Sequence, residues 1–388
     1  MLENHLNWLE KGKSCLEENK PNEALECYEE AIKLKPNDSR GYKGKGNALK
    51  ALDENDEALK CYSKAIKLKP DDPEAYNGKG TALNNLKDNI KAINSYNKAI
   101  KLKPDYAEAY YNKGNALGDL EKFTEAIKSF NKAIKLNPNY AEAYNGKGNV
   151  LSDLNRNSEA IGCFDEAIKL KPGYANSYNN KGNALLELGK YEEAIECYDE
   201  ALKLEPDDAY TYYNKGNAFN DLGKKVEAIE CYDKAINIEP DYAEAYFDKG
   251  KALYDLGRAP EAIECHDKAI GLNPEHAAAY CNKGDALFKL CRYPEAVECY
   301  DEAIKIDPNY GYAYFNKGSA LYELGRNDEV MELFDKAIEL NPEEPDYYFN
   351  KGTALYAWKR FDEAIICLNK AIYLIYPYKL HQNAISFV

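Results

Sequence analysis

Residues 175–208 read ANSYNNKGNALLELGKYEEAIECYDEALKLEPDD, and the rest of the chain is this unit again. Tyr178, Gly182 and Leu185 are spaced four and three residues apart, with Leu188 continuing the stripe, which predicts one face of a helix. After a break at Gly189-Lys190, Ala194, Tyr198 and Ala201 repeat the spacing beside Ile195, Leu202 and Leu204, which predicts a second helix. Pro206 lacks a backbone donor and disfavours a helical residue before it, so it ends that helix. The unit is therefore two antiparallel helices of about 13 residues, each roughly 20 Å long.

Steps of 34 residues from Gly182 land on Gly12, Gly46, Gly80, Gly114, Gly148, Gly216, Gly250, Gly284, Gly318 and Gly352, so eleven units run from His5 to Tyr378 without insertion. A fixed period of this size predicts stacked repeats, because one unit cannot bury its apolar face alone. A glycine inside a helix costs about 1 kcal/mol relative to alanine, so its recurrence points to a packing requirement. Gly182 and Ala194 are expected where paired helices cross, with Tyr178 and Tyr198 filling the space between neighbouring units. Gly44, Gly78 and Gly146, two residues before three of these glycines, are expected to soften their first helices.

The pattern resembles the tetratricopeptide repeat. Counted from the first residue of each unit, position 4 is Trp8 and then Tyr in the other ten; position 8 is always Gly, and position 20 is Ala except at Val330. Position 27 is always Ala, and position 32 is Pro except in the last unit. The resemblance implies an all-α solenoid, a right-handed superhelix of antiparallel helix pairs that passes one full turn. It covers residues 1–378 as a single domain, with repeats starting at 5, 39, 73, 107, 141, 175, 209, 243, 277, 311 and 345, followed by an apolar tail at 379–388. Where the family usually has Leu before the glycine, every unit has Lys, from Lys11 to Lys351; its stem is expected to pack along the helices while the ammonium stays in water.

The net charge of −15, from 51 basic and 66 acidic residues, favours solubility and opposes general nucleic-acid binding. Residues 39–140 run against this, with 19 Lys and Arg and 13 Asp and Glu. Neither a secretory leader nor an apolar run of membrane-spanning length stands out, which predicts a cytoplasmic protein without membrane insertion. Eight of the eleven cysteines (Cys27, Cys61, Cys163, Cys197, Cys231, Cys265, Cys299 and Cys367) share position 23. That places them about 10 Å apart on adjacent helices, beyond disulfide reach, as small buried hydrophobes. No C-x-x-C pair or phosphate loop is present, and the four histidines are scattered, with His266 in the core tyrosine column as a satisfied packing residue. The expectation is a chain without catalytic residues, metal or cofactor, acting as a scaffold for a protein or peptide partner.

By resemblance to the family, first helices line the inner, concave groove. Position 6 carries Asn180, Asn214, Asn282, Asn316 and Asn350, whose amides suit an extended peptide backbone; a similar asparagine row occurs in sugar-transferring relatives. Positions 5 and 12 of repeats 8–11 carry Phe247, Tyr254, Phe288, Phe315, Tyr322, Phe349 and Tyr356, expected to supply selectivity. Truncating Phe315 and Tyr322 together is then expected to weaken a partner with little loss of thermal stability. Some relatives clamp a C-terminal carboxylate: Lys43 and Asn47 match that motif, whereas Gly78, Glu108 and Asn112 depart from it, so peptides ending in Glu-Glu-Val-Asp are expected not to bind tightly. Tyr373, Leu374, Ile375, Tyr376, Leu380, Ile385 and Phe387 crowd the last residues, and a homodimer through this end is the second expectation.

Overall fold

The computed structural model describes residues 2–376. Among them every regular element is a helix, arranged in eleven consecutive pairs, from Leu2–Glu17 with Pro21–Leu34 to Pro345–Ala357 with Phe361–Ile375. Each first helix packs on its own second helix, and within each of the chain's two units neighbouring repeats join through second-to-first and first-to-first contacts. Contacts divide the chain into two compact units, Met1–Glu205 and Pro206–Val388, each described by itself. The 34-residue register runs across that boundary without insertion.

In the quoted stretch the helices are Ala175–Glu187 and Tyr191–Leu204. Gly189 takes a φ of +70° between them. Its N–H donates to the Leu186 carbonyl and that of Lys190 to the Leu185 carbonyl, both at 2.9 Å, which closes the first helix with a left-handed cap. The same place in other repeats is left-handed whether it holds glycine, as at Gly223, Gly257 and Gly325, or a side chain, as at Glu121, Cys291 and Lys359. Docking of the two helices therefore imposes this turn even where the residue resists it. At the far end Glu205 is near-extended, φ −128° and ψ 85°, as a residue before proline must be.

The recurring glycine is a steric requirement. A methyl group at Gly182 would lie 2.5 Å from the Tyr198 ring of the same repeat, and Gly216 with Tyr232 and Gly284 with Tyr300 are equally tight, at 2.6 and 2.5 Å. The position-24 rings Tyr62, Tyr96, Tyr198, Tyr232 and Tyr300 are fully buried. Tyr178 is only half-buried, whereas the position-24 ring Tyr198 of the same repeat is fully buried. The glycines expected to be soft are also close-packed. Gly78 and Gly146 face the preceding repeat's Tyr62 and Phe130, where a methyl would sit 2.5 and 2.9 Å from the ring.

The lysine before each glycine does more than pack its stem. Lys45 pairs with Glu29 at 2.7 Å, Lys181 with Asp165 at 2.7 Å, and Lys283 and Lys317 with Asp267 and Asp301 at 2.6 Å. Each ion pair joins a first helix to the second helix of the repeat before it. Burial opposes the charge on Lys181 and Lys283, but the carboxylate prevails and their pKa is raised. In repeats 2–4 the corresponding acid is replaced by Ser63, Asn97 and Asn131, which contributes to the basic balance of residues 39–140.

Position-23 cysteines are free thiols, buried except for the half-buried Cys61 and Cys367. Burial pushes Cys197 and Cys299 up to about 11, so they are unreactive packing groups. No described helix is long and apolar enough to cross a membrane.

Candidate functional site

The two sets of groove aromatics separate in the structure. Position-5 rings stack into the repeat junctions: Phe247 lies 5.8 Å from His266 and 4.5 Å from His276, and Phe315 lies 5.9 Å from Phe334 and 4.7 Å from Tyr347. Tyr111 and Tyr213 make the same stacks in repeats 4 and 7. Phe315 is only 9% exposed, so the expectation that its loss would spare thermal stability is corrected: the ring belongs to the core. Phe349 differs: it is 51% exposed, and Leu368, not an aromatic, holds position 24 of its repeat.

Position-12 rings instead border open space. Tyr254, Phe288 and Tyr322 line a cleft of about 390 Å³, while Tyr356, 63% exposed, lies beyond it with its edge against Phe361. The cleft is built mainly by the first helices Ala243–Asp255, Ala277–Lys289, Gly311–Glu323 and Pro345–Ala357. Asn316, Asn350, Tyr312 and Glu323 complete its wall with the edge of Phe315. Phe288 leans on Tyr293 and Tyr322 on Trp358, at 5.1 and 6.0 Å, which holds both rings in place.

At the base of this cleft stands a carboxylate, Asp285. Tyr300 Oη and Asn316 Nδ2 donate to its Oδ1 at 2.9 and 2.7 Å, and Tyr312 Oη donates to Oδ2 at 3.2 Å. Among the described residues, the hydrogen-bond partners of this carboxylate are these three neutral donors, while the nearby Lys283 and Lys317 pair with Asp267 and Asp301 instead. Burial pushes its pKa up to about 6 against the pull of the three donors. In repeats 2, 6 and 7 this position holds an amide that accepts the same tyrosine hydroxyl: Tyr62 on Asn47, Tyr198 on Asn183 and Tyr232 on Asn217, at 2.7, 2.8 and 2.8 Å. Asp285 thus puts a carboxylate where a neutral amide makes the same bond in those repeats.

Behind Asp285 a smaller hollow of about 210 Å³ is lined by His266, Asn282, Lys251 and Asp255. His266 is fully buried and neither ring nitrogen has a hydrogen-bond partner, which corrects the expectation of a satisfied histidine. Burial lowers its pKa to about 4, so it is a neutral ring. The tyrosine hydroxyl of other repeats has no counterpart here, and Lys251, in place of the accepting asparagine, pairs with Asp248 at 3.1 Å.

The asparagine row is partly spent within the protein. Asn180 Nδ2 donates to Asn145 and Asn149 at 3.2 and 2.9 Å, tying one first helix to the preceding one, and Asn316 Nδ2 is held by Asp285. Asn214 is buried. The half-buried Asn282 and Asn350 face the hollow and the cleft respectively. No group of three or more His, Cys, Asp or Glu among the described residues could hold a metal ion.

The family model described as TPR repeat matches residues 46–87, 85–120, 148–189, 182–223, 216–257, 250–290 and 318–358. Models described as Tetratricopeptide repeat match 8–38, 107–140 and 277–310, 129–162 and 299–331, and 345–376. The chain belongs to the tetratricopeptide repeat family. Among solved structures it is similar to MamA, at 30% identity over 42% of this chain and 95% of that one, with a TM-score of 0.40. It is also similar to YrrB, described as a TPR protein with an unusual peptide-binding site, at 27% identity over 49% and 98%, TM-score 0.41. Yeast Tom70 aligns at 17% identity over 96% and 92%, TM-score 0.45. No curated protein matches the chain.

Tetratricopeptide repeat arrays are protein-interaction modules and typically non-catalytic. The partial carboxylate clamp of this tetratricopeptide chain is occupied from within: Lys43 Nζ pairs with Glu74 at 2.6 Å and Asp72 at 3.1 Å, and Asn47 accepts from Tyr62. Asp285 and Tyr312 were missed from the sequence, although the single acid in a column holding Asn47, Asn115, Asn149, Asn183 and Asn217 was a visible signal.

Proposed function

We propose that this tetratricopeptide repeat protein is a non-catalytic scaffold that binds an extended peptide in the cleft formed by the first helices of repeats 8–11. One observation carries the reading: Tyr254, Phe288, Phe315, Asn316, Tyr322 and Asn350, six of the aromatics and asparagines at positions 5, 6 and 12 of the first helices, line the same cleft. Fixed aromatic rings offer contact area at low entropic cost, and the amides supply backbone hydrogen bonds that do not depend on peptide sequence. Random 12-residue peptides displayed on phage and selected against the full chain should enrich on the native protein. Enrichment should fall at least tenfold on the Phe288→Ala/Tyr322→Ala double variant while helical circular dichroism is unchanged. Equal enrichment on both proteins would place binding elsewhere.

A second reading, self-association through the last repeat, rests on the outer face of the helix Phe361–Ile375. Ile366 stands in a column otherwise rich in Glu and Lys, Tyr373 in one rich in Lys, and Ile375 where Lys35 and Lys69 stand. All three are exposed, Ile366 at 69%. Leu380, Ile385, Phe387 and the expected tail at 379–388 lie outside the described residues. If this face joins two copies, Ile366→Glu with Tyr373→Lys should convert a dimer to a monomer in sedimentation velocity. A native protein that is monomeric at 100-fold higher concentration, on the order of 100 μM, removes the reading.

A further inference from the structure

We infer that the cleft of repeats 8–11 is selective for a basic side chain, arginine above lysine, of the bound peptide, with Asp285 as the anionic anchor. The inference rests on the peptide-binding reading above and adds the chemistry of the side chain received.

Asp285 is the decisive group because its charge is otherwise unexplained. In a repeat array an asparagine at this place already satisfies the tyrosine hydroxyl, as Asn183 and Asn217 do. A carboxylate adds nothing to that bond but a charge, and burying an uncompensated charge costs stability. Its three partners, Tyr300, Tyr312 and Asn316, are neutral donors. Oδ2 accepts a single bond, so a lone pair remains for a donor entering from the cleft.

The walls suit a cation as well as the floor does. Phe288, Tyr322 and Tyr254 present rings around the opening, and aromatic faces attract guanidinium and ammonium groups. Tyr254 already does so within the chain, since Lys289 Nζ sits 4.5 Å from its ring centroid. Glu323 adds an exposed carboxylate at the rim. The surroundings have the same sign: residues 206–388 carry 20 Lys and Arg against 32 Asp and Glu, so 20 − 32 = −12 of the chain's −15. A peptide carboxylate would meet repulsion from Asp285 and Glu323, and an apolar side chain would leave Asp285 uncompensated. Arginine is favoured over lysine because its planar fork can stack on a ring and donate to Asp285 in one pose.

The test takes the peptides enriched from the random 12-residue library and measures the best of them by fluorescence anisotropy at pH 7.5. Enriched sequences should share one basic column. Changing that residue to Gln in the peptide, or Asp285→Asn in the full-length protein, should each weaken binding at least tenfold, and the two changes together should weaken it little more than either alone. Glu339→Gln, the same change of charge away from the cleft, should leave affinity within twofold. Enriched peptides with no basic column, or with affinity indifferent to Asp285→Asn, overturn the inference and leave the peptide groove standing. Absence of enrichment over an unrelated protein overturns both.

Discussion

Phe315→Ala is expected to destabilise the protein by about 3–5 kcal/mol, the usual cost of emptying a buried aromatic site. The ring is sandwiched between Phe334 and Tyr347, both buried, and bridges repeats 10 and 11. Repeat arrays sum local and nearest-neighbour terms, so the loss should appear as early unfolding of the last repeats rather than a uniform shift. Urea denaturation followed by circular dichroism should show that separate early phase. Tyr356→Ala serves as the comparison: its exposed ring should be removable within about 0.5 kcal/mol. A Phe315→Ala cost below about 1 kcal/mol would return that ring to the groove and undo the division between positions 5 and 12.

Asp285→Asn should act in the opposite direction. The folded protein raises this carboxyl to about 6 by burial, above the ordinary value of about 3.9, so the fold favours its protonated form. Stability from that preference is full below about pH 4 and is lost as the pH rises through about 6. At pH 8 the native protein therefore bears the cost of a buried charge, about 2–3 kcal/mol at 1.36 kcal/mol per unit, and an amide bears none. Urea midpoints should place Asp285→Asn about 2 kcal/mol above the native protein at pH 8 and level with it near pH 4. A variant that is less stable at pH 8 would mean that the charge-assisted bonds from Tyr300, Tyr312 and Asn316 outweigh the desolvation. Greater stability with loss of basic-peptide binding is the pattern of a residue kept for function at the expense of the fold.

The repeats were legible because their cause is local and periodic. Spacings of three and four, a glycine every 34 residues and a proline after each second helix specify helix, turn and stack without reference to distant residues. The ion pairs between Lys181 and Asp165, and their equivalents, were legible in principle, since the two columns stand 16 residues apart in each such pair. They emerged only when the stack brought one repeat's acid beside the next repeat's lysine.

The site was legible only in part. Sequence register placed Phe247, Phe315 and Tyr322 together as groove aromatics, because positions 5 and 12 lie on neighbouring parts of one helical face. Which of them meets solvent depends on what the end of the same repeat or the start of the next one presents. Phe247 and Phe315 are covered by His276 and Tyr347, whereas Tyr254, Phe288 and Tyr322 open onto the cleft. The meaning of Asp285 lay equally beyond the sequence: the one acid in a column of asparagine, serine, threonine and lysine is a small change until the tertiary structure surrounds it with neutral donors. The sequence by itself determined the helix pairs, their register and the steric need for glycine, because those follow from short-range periodicity and side-chain volume. Only the tertiary structure decided which aromatics are core and which are surface, and that Asp285 is buried among neutral donors, because burial and electrostatic compensation depend on residues from separate helices meeting in space.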